Sequence, residues 1–150
     1  MGDEQAFDLS VKANLECLKK VRQYITQAAA QLGVNDEALG DLLLVVDEAV
    51  TNVVIHGYGD DEGQVEVHMR ADGSAVSIQI RDRAETFNPS HVNAPQLDTD
   101  LKDRPFGGMG IFLIRKMTDE AEFLPLAGGG NEIRLVKRGA IQPDTSGALV

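Results

Sequence analysis

Glu48, Asn52 and His56 recur at every fourth residue of the stretch Asp41-Leu-Leu-Leu-Val-Val-Asp-Glu-Ala-Val-Thr-Asn-Val-Val-Ile-His56. That spacing sets them along one face of a helix. A carboxylate beside a carboxamide oxygen has the chemistry to orient an attacking hydroxyl and to hold a hard Mg2+ ion. The plainer alternative is a solvated stripe on an amphipathic helix. However, Leu42, Leu43, Val46, Ala49, Val50 and Val53 make this helix apolar around most of its girth, so its polar stripe is expected to face a cavity. His56 alone reads as a structural histidine, as do His68 and His91.

Two further stretches carry candidate chemistry. Asp82 closes the run Ile78-Gln-Ile-Arg-Asp82, where a strand gives way to a loop. It is either a turn former or a carboxylate that accepts a hydrogen bond from an exocyclic amine, the contact by which a pocket recognises adenine. Gly107-Gly108-Met109-Gly110 opens an apolar run from Ile111 to Ile114. Glycines there let the backbone approach a ligand, and a helix end offers free N–H groups to phosphate. No Lys-Ser/Thr follows as in a P-loop, and the strand–helix context of a dinucleotide fingerprint is missing.

The elements that must position these groups follow from hydrophobic periodicity. A short strand over 5–11 leads into a helix over 12–32, with Leu15, Leu18, Val21, Tyr24 and Ile25 as its apolar stripe and Gly33 as its stop. Asn35 takes the N-cap position of a second helix, favoured by Asp36 and Glu37, which runs to about Ile55 before Gly57 and Gly59. Val65, Val67 and Met69 alternate with polar residues, Asp72-Gly73 turns, and Val76, Ile78 and Ile80 alternate again, which predicts a hairpin covered on one face. Residues 83–106 hold three of the five prolines and few apolar residues, the composition of a long loop that is either a functional lid or disordered. A helix from Ile111 to Met117, a strand over 121–126, a glycine turn at 128–130 and a strand over 133–137 follow. The order predicts an α/β two-layer sandwich of the α+β kind, with a mixed, mostly antiparallel sheet and helices on one face. One domain over 1–138 and a flexible tail over 139–150 are expected.

Composition narrows the function classes. With 150 residues, 43% hydrophobic and 25% charged, the chain is expected to fold as one domain without a disulfide or metal staple. Its net charge of −10 argues against direct nucleic-acid or anionic-membrane binding and favours a basic protein partner. The single Cys17 excludes an intrachain disulfide and supplies no metal or redox motif. The acidic start MGDEQ is no signal peptide, so a cytoplasmic location is expected.

In this order and at these spacings the three motifs resemble those of the GHKL superfamily of ATPases, which includes gyrase, heat-shock-90 chaperones, histidine kinases and mismatch-repair ATPases. Within it the chain most resembles the anti-sigma-factor serine kinases. Asp47-Glu-Ala-Val-Thr-Asn52 with His56-Gly-Tyr58 is similar to that family's N-box, Asp82 with Phe87-Asn88-Pro89 to its G1 segment, and Gly107-Gly-Met-Gly-Ile-Phe-Leu113 to its G2 segment. The resemblance covers about residues 7–138 and implies a GHKL (Bergerat-type) ATP-binding fold.

It also implies roles. Glu48 would be the general base that activates a protein serine, and Asn52 would ligate the Mg2+ bridging the ATP phosphates. Asp82 would read the adenine amine, while Gly108 and Gly110 would approach the phosphates beneath the lid. The implied partners are a sigma factor, held inactive, and an anti-anti-sigma antagonist as the phosphorylated substrate. A homodimer through the first helix and neighbouring strands is implied as well. Ala84 and Thr86 stand where the family's G1 segment carries glycines. Asn131 stands near the position of a last-strand Thr that assists adenine recognition, and its amide can do the same work. Those departures keep a second reading open, a catalytically inactive binding module that regulates by partner competition. A third is a regulatory domain of a signalling system without a sigma factor.

Overall fold

The computed structural model describes residues 6–58, 63–84 and 108–141. Strand β1 (Ala6–Lys12) is followed by helices α1 (Cys17–Leu32) and α2 (Asp36–Asn52), the latter extended by a π-helical turn over Val53–Tyr58. The hairpin β2 (Gln64–Asp72) and β3 (Ala75–Asp82) comes next, then α3 (Gly108–Met117), β4 (Glu120–Pro125) and β5 (Asn131–Lys137). The sheet order is β1-β2-β3-β5-β4, and every pairing is antiparallel. The chain therefore has the expected α+β architecture, although the sheet of the described residues is wholly antiparallel and not mixed. Among the described residues no helix is long and apolar enough to cross a membrane.

Alternation along the strands divides the sheet into two faces. Val65, Val67, Val76, Ile78 and Ile80 are fully buried beneath the helices, together with Leu135 of β5. Ile25 of α1, Leu42, Val45, Val46 and Val50 of α2, and Ile114 of α3 supply the helical half of the core. Each such side chain contributes about 1.5–3 kcal/mol by leaving water, so the face that carries them dictates which side the helices cover. The other face carries Glu66, His68, Arg70, Ser77, Gln79 and Arg81.

Local signals end the helices where the sequence places them. Gly33 adopts φ 81°, and its N–H donates to the Ala29 carbonyl. The Asn35 side chain accepts the Ala38 N–H at 2.8 Å and donates to the carbonyls of Gly139 and Ala140, both at 3.0 Å. One cap thus joins the start of α2 to the chain beyond β5. Helix α1 begins later than periodicity predicts. Asn14 accepts the Cys17 N–H at 2.9 Å, a local bond that competes with helix, and leaves Leu15 outside α1 and 60% exposed. The two helices are joined by a bidentate pair, Arg22 Nε to Asp47 Oδ1 at 2.9 Å and Nη2 to Oδ2 at 2.5 Å.

Glu132 is an unusual residue for the open face, because it is only 1% exposed. Arg81, its register partner on β3, and Arg134 both donate Nε–H to its carboxylate. Burial alone would raise its pKa, but the two guanidiniums outweigh burial and hold it below the ordinary carboxylate range. A carboxylate depressed on folding adds stability above its unfolded value near 4.5, and that contribution is lost as pH falls through the lower folded value. Both guanidiniums are 41–48% exposed, so their loss costs less than that of a fully buried pair. Arg81→Ala combined with Arg134→Ala is expected to lower stability by about 2 kcal/mol at neutral pH. The acid-linked loss that Glu132 contributes should vanish with them. Urea melts across a pH series, compared with the unaltered protein, check both outcomes.

Candidate functional site

Glu48 and Asn52 occupy the last turns of α2, both half-buried. Ala49 and Val50 between them are fully buried against the core, so the polar pair lies on the flank of a helix anchored by its apolar face. Beyond Asn52 the helix does not continue in α form to Ile55, as periodicity predicts. It widens into the π turn Val53–Tyr58, with the Val53 N–H shared between the carbonyls of Ala49 and Val50. Such turns recur at functional sites because they redirect the residues that follow. Here the turn includes His56 and delivers Tyr58 to the start of β2, where its hydroxyl donates to the Gln64 carbonyl at 2.9 Å.

Asp82 is the last residue of β3 and Asn131 the first of β5, and the register places them opposite each other. Both are buried, at 4% and 7% exposure. The β5 strand starts two residues earlier than the sequence reading, which brings Asn131 and Glu132 into the sheet. Asn131 Nδ2 donates to Asp82 Oδ1 at 3.0 Å, and the Ala84 N–H donates to the same oxygen at 2.8 Å. Asp82 is therefore a turn former and a cross-strand acceptor at once. Burial pushes its carboxyl above the ordinary range, with the Asn131 and Ala84 bonds and the charge of Arg83 opposing that shift. Ala84 is 6% exposed, so its methyl is accommodated where the resembling family carries glycine.

Gly130 is a site residue that sequence reasoning missed. The 128–130 triplet reads only as a turn. In the structure Gly130 has φ +101°, and a Cβ built there would fall 2.3 Å from the Asp82 carbonyl oxygen. The β4–β5 turn thus closes directly on the end of β3, and no local pattern announces a contact between residues so far apart.

Gly108 and Gly110 lie within the first turn of α3 and not ahead of it, as periodicity suggests. That helix packs against α2, which carries Glu48 and Asn52, and against β4. Thr86, Phe87, Asn88, Pro89, His91 and Gly107 lie outside the described residues, as do 142–150 of the expected tail. Among the described residues no three His, Cys, Asp or Glu side chains cluster as a metal cage. The donors present suit Mg2+ held chiefly by phosphates and water, which needs one or two hard protein oxygens such as the Asn52 amide.

The fold and these motifs define a class. A histidine kinase-like ATPase domain model matches residues 11–137. A serine-protein kinase named RsbW from Oceanobacillus iheyensis is 28% identical over 132 residues, covering 81% of this chain and 80% of that protein. An anti-sigma F factor from Bacillus cytotoxicus is 36% identical over 139 residues, covering 91% and 93%. The crystal structure of the RsbU and RsbW domains of a Mycobacterium tuberculosis protein superposes with a TM-score of 0.62 at 21% identity. That likeness covers 89% of this chain but 32% of the longer one, and it speaks to the fold. The chain belongs to the anti-sigma-factor serine-protein kinase family of the histidine kinase-like ATPases.

Two of the three glycines of the β4–β5 turn, Gly128 and Gly130, separate backbone freedom from close approach. Gly128→Ala, at φ +86° with nothing nearby, is expected to cost about 1 kcal/mol. Gly130→Ala adds a collision with the Asp82 carbonyl and should cost at least about 3 kcal/mol. Urea denaturation of both variants measures the difference.

Proposed function

We propose that this protein is an ATP-dependent serine protein kinase and anti-sigma factor, which phosphorylates an anti-anti-sigma antagonist and sequesters a sigma factor. The observation that carries the reading is the buried Asp82–Asn131 pair at the ends of β3 and β5, on a fold whose α2 presents Glu48 and Asn52 on one flank. A buried carboxylate, already oriented by an amide and a backbone N–H, suits recognition of an amine-bearing base. Both described bonds fall on Oδ1, and Oδ2 is the oxygen this reading gives to the adenine amine.

In the transfer itself, the serine oxygen of the substrate forms a bond to the γ-phosphorus while the bond from that phosphorus to the β-phosphate bridging oxygen breaks. Glu48 takes the serine proton, and ADP leaves. Bound Mg2+ would neutralise phosphate charge, with the Asn52 amide oxygen as its protein ligand. Gly108 and Gly110 in the first turn of α3 give phosphate a side-chain-free approach to helix N–H groups. Residues 1–138 form the catalytic domain in this reading, with 139–150 as a flexible tail. The partners are a sigma factor and its antagonist, in the cytoplasm and without direct nucleic-acid or membrane contact. The net charge of −10 favours a basic protein surface on the sigma factor. Homodimerisation through α1 and the neighbouring strands belongs to the same reading.

The rival is a catalytically inactive module that switches partners by competition, and Ala84 and Thr86 in the G1 segment are what favour it. Calorimetric titration with ATP, with and without Mg2+, tests the nucleotide site. Mg-dependent binding lost in Asn52→Ala supports it, and no binding at millimolar ATP overturns it. Glu48→Gln is expected to keep ATP affinity within about twofold while slowing phosphoryl transfer to a purified antagonist at least about 100-fold. Binding without transfer in the unaltered protein selects the inactive module. Co-purification from native lysate without a sigma factor would select a signalling role of another kind.

Asp82 adds a pH signature. Its carboxyl titrates above the ordinary carboxylate value, and the protonated form loses acceptor capacity. ATP affinity should therefore begin to fall, as pH is lowered, at a higher pH than an unshifted aspartate near 3.8 would give. A pH series of ATP titrations with the Asp82→Asn variant as reference measures that onset.

A further inference from the structure

The β2–β3 ladder runs without a break from Asp72↔Ala75 to Val65↔Asp82. The next rung would join the Arg83 N–H to the Gln64 carbonyl. A side chain takes its place. The Arg83 N–H donates to the Tyr58 hydroxyl oxygen at 2.7 Å, and that hydroxyl donates to the Gln64 carbonyl at 2.9 Å. One phenol thus stands in series in the gap between two strands. From the same point the chain turns, and the Ala84 N–H folds back onto Asp82 Oδ1.

The seat for the phenol is built into the backbone. A Cβ at Gly63 would fall 2.1 Å from Cε1 of the Tyr58 ring and 2.2 Å from Cζ, so only glycine admits the ring there. Gly63 is itself held, because its carbonyl accepts the Ala13 N–H at 2.8 Å at the end of β1. On its other side Tyr58 is the last residue of the π turn that follows Asn52. The turn, the ring and the displaced rung form one covalent and hydrogen-bonded path from the Glu48–Asn52 flank of α2 to Asp82.

We propose that Tyr58 is a positioning residue for base recognition, its hydroxyl wedged into the β2–β3 ladder to set where Asp82 presents its carboxylate. This inference rests on the nucleotide-binding reading above. Tyr58 touches no substrate in this account. It acts through Arg83, which is covalently next to Asp82, and through the separation of the strands that lets Ala84 cap the carboxylate. Removing the hydroxyl leaves the Arg83 N–H to seek Gln64 directly, which draws the strands together and tilts Asp82.

The test pairs ATP with inosine triphosphate, whose base carries an oxo group in place of the exocyclic amine that Asp82 would read. In Tyr58→Phe, ATP affinity is expected to fall about tenfold, the size of one hydrogen bond, with inosine triphosphate affinity unchanged. The preference for ATP should collapse accordingly. Asp82→Asn with Tyr58→Phe should show no further loss beyond Asp82→Asn alone, because both changes act on one contact. Gly63→Ala, which keeps the hydroxyl but displaces the ring, should reproduce the Tyr58→Phe pattern and serves if that variant folds poorly. Equal losses for the two nucleotides, or no loss for either, overturn the positioning role and leave the kinase reading standing. Failure of the unaltered protein to bind ATP overturns the kinase reading and the base-recognition role together. Amide hydrogen exchange at Arg83 and Ala84 in the free protein adds a readout independent of ligand. Faster exchange at Ala84 in Tyr58→Phe, with Arg83 still protected by Gln64, supports the wedge, and unchanged exchange at Ala84 overturns it.

Discussion

The rest of the site depends on the Asp82 carboxylate being taken out of water at the end of β3. An ionised carboxylate is costly to bury without donors, and here Asn131 and the Ala84 N–H supply two at a single oxygen. Meeting that requirement constrains three other parts of the chain. The register of β3 with β5 must place Asn131 opposite Asp82. The β4–β5 turn must contain a glycine where it passes the Asp82 carbonyl. The chain must turn back at Ala84 immediately after the strand. The first two conditions are local in energy but long-range in sequence, and the third is local in both.

The two faces of the sheet solve the same electrostatic problem differently. Beneath the helices, polar groups are few, and the buried Asp82–Asn131 pair sits at the rim where β3 and β5 end. On the open face Glu132 is covered by two arginines whose own charges remain partly in water. The opposite pKa directions of the two acids follow from that difference. Glu132 has two cationic partners in direct contact, whereas Asp82 has neutral donors and only the charge of Arg83 nearby. A depressed carboxylate is a stabilising element, and a raised one is a poised acceptor.

Family membership and physical reading meet at the N-box. Spacing alone puts Glu48 and Asn52 on one helical face, and the core residues Ala49 and Val50 keep that face turned outward from the sheet. What neither spacing nor motif conveys is that α2 changes to a π turn directly after Asn52. That change carries Tyr58 across to the strands and ties the helix to the same sheet end that holds Asp82. The two groups to which the proposal assigns phosphate and base recognition thereby share one hydrogen-bonded frame.

Much of this protein was decided by local sequence. Period-two alternation determined β2 and β3 and their buried face, because each strand residue faces the side opposite its neighbours. Gly33 and Asn35 determined where α1 stops and α2 starts, since a positive φ and an N-cap are requirements of single residues. The pairing of Asp82 with Asn131, the close pass of Gly130, the π turn and the displaced rung at Tyr58 were decided only by tertiary structure. Each depends on where a distant or competing group lies in space, which periodicity does not encode. The types of chemistry were thus written in the sequence, and their juxtaposition was set by the sheet, one end of which gathers the end of β3, the start of β5 and the turn that follows α2.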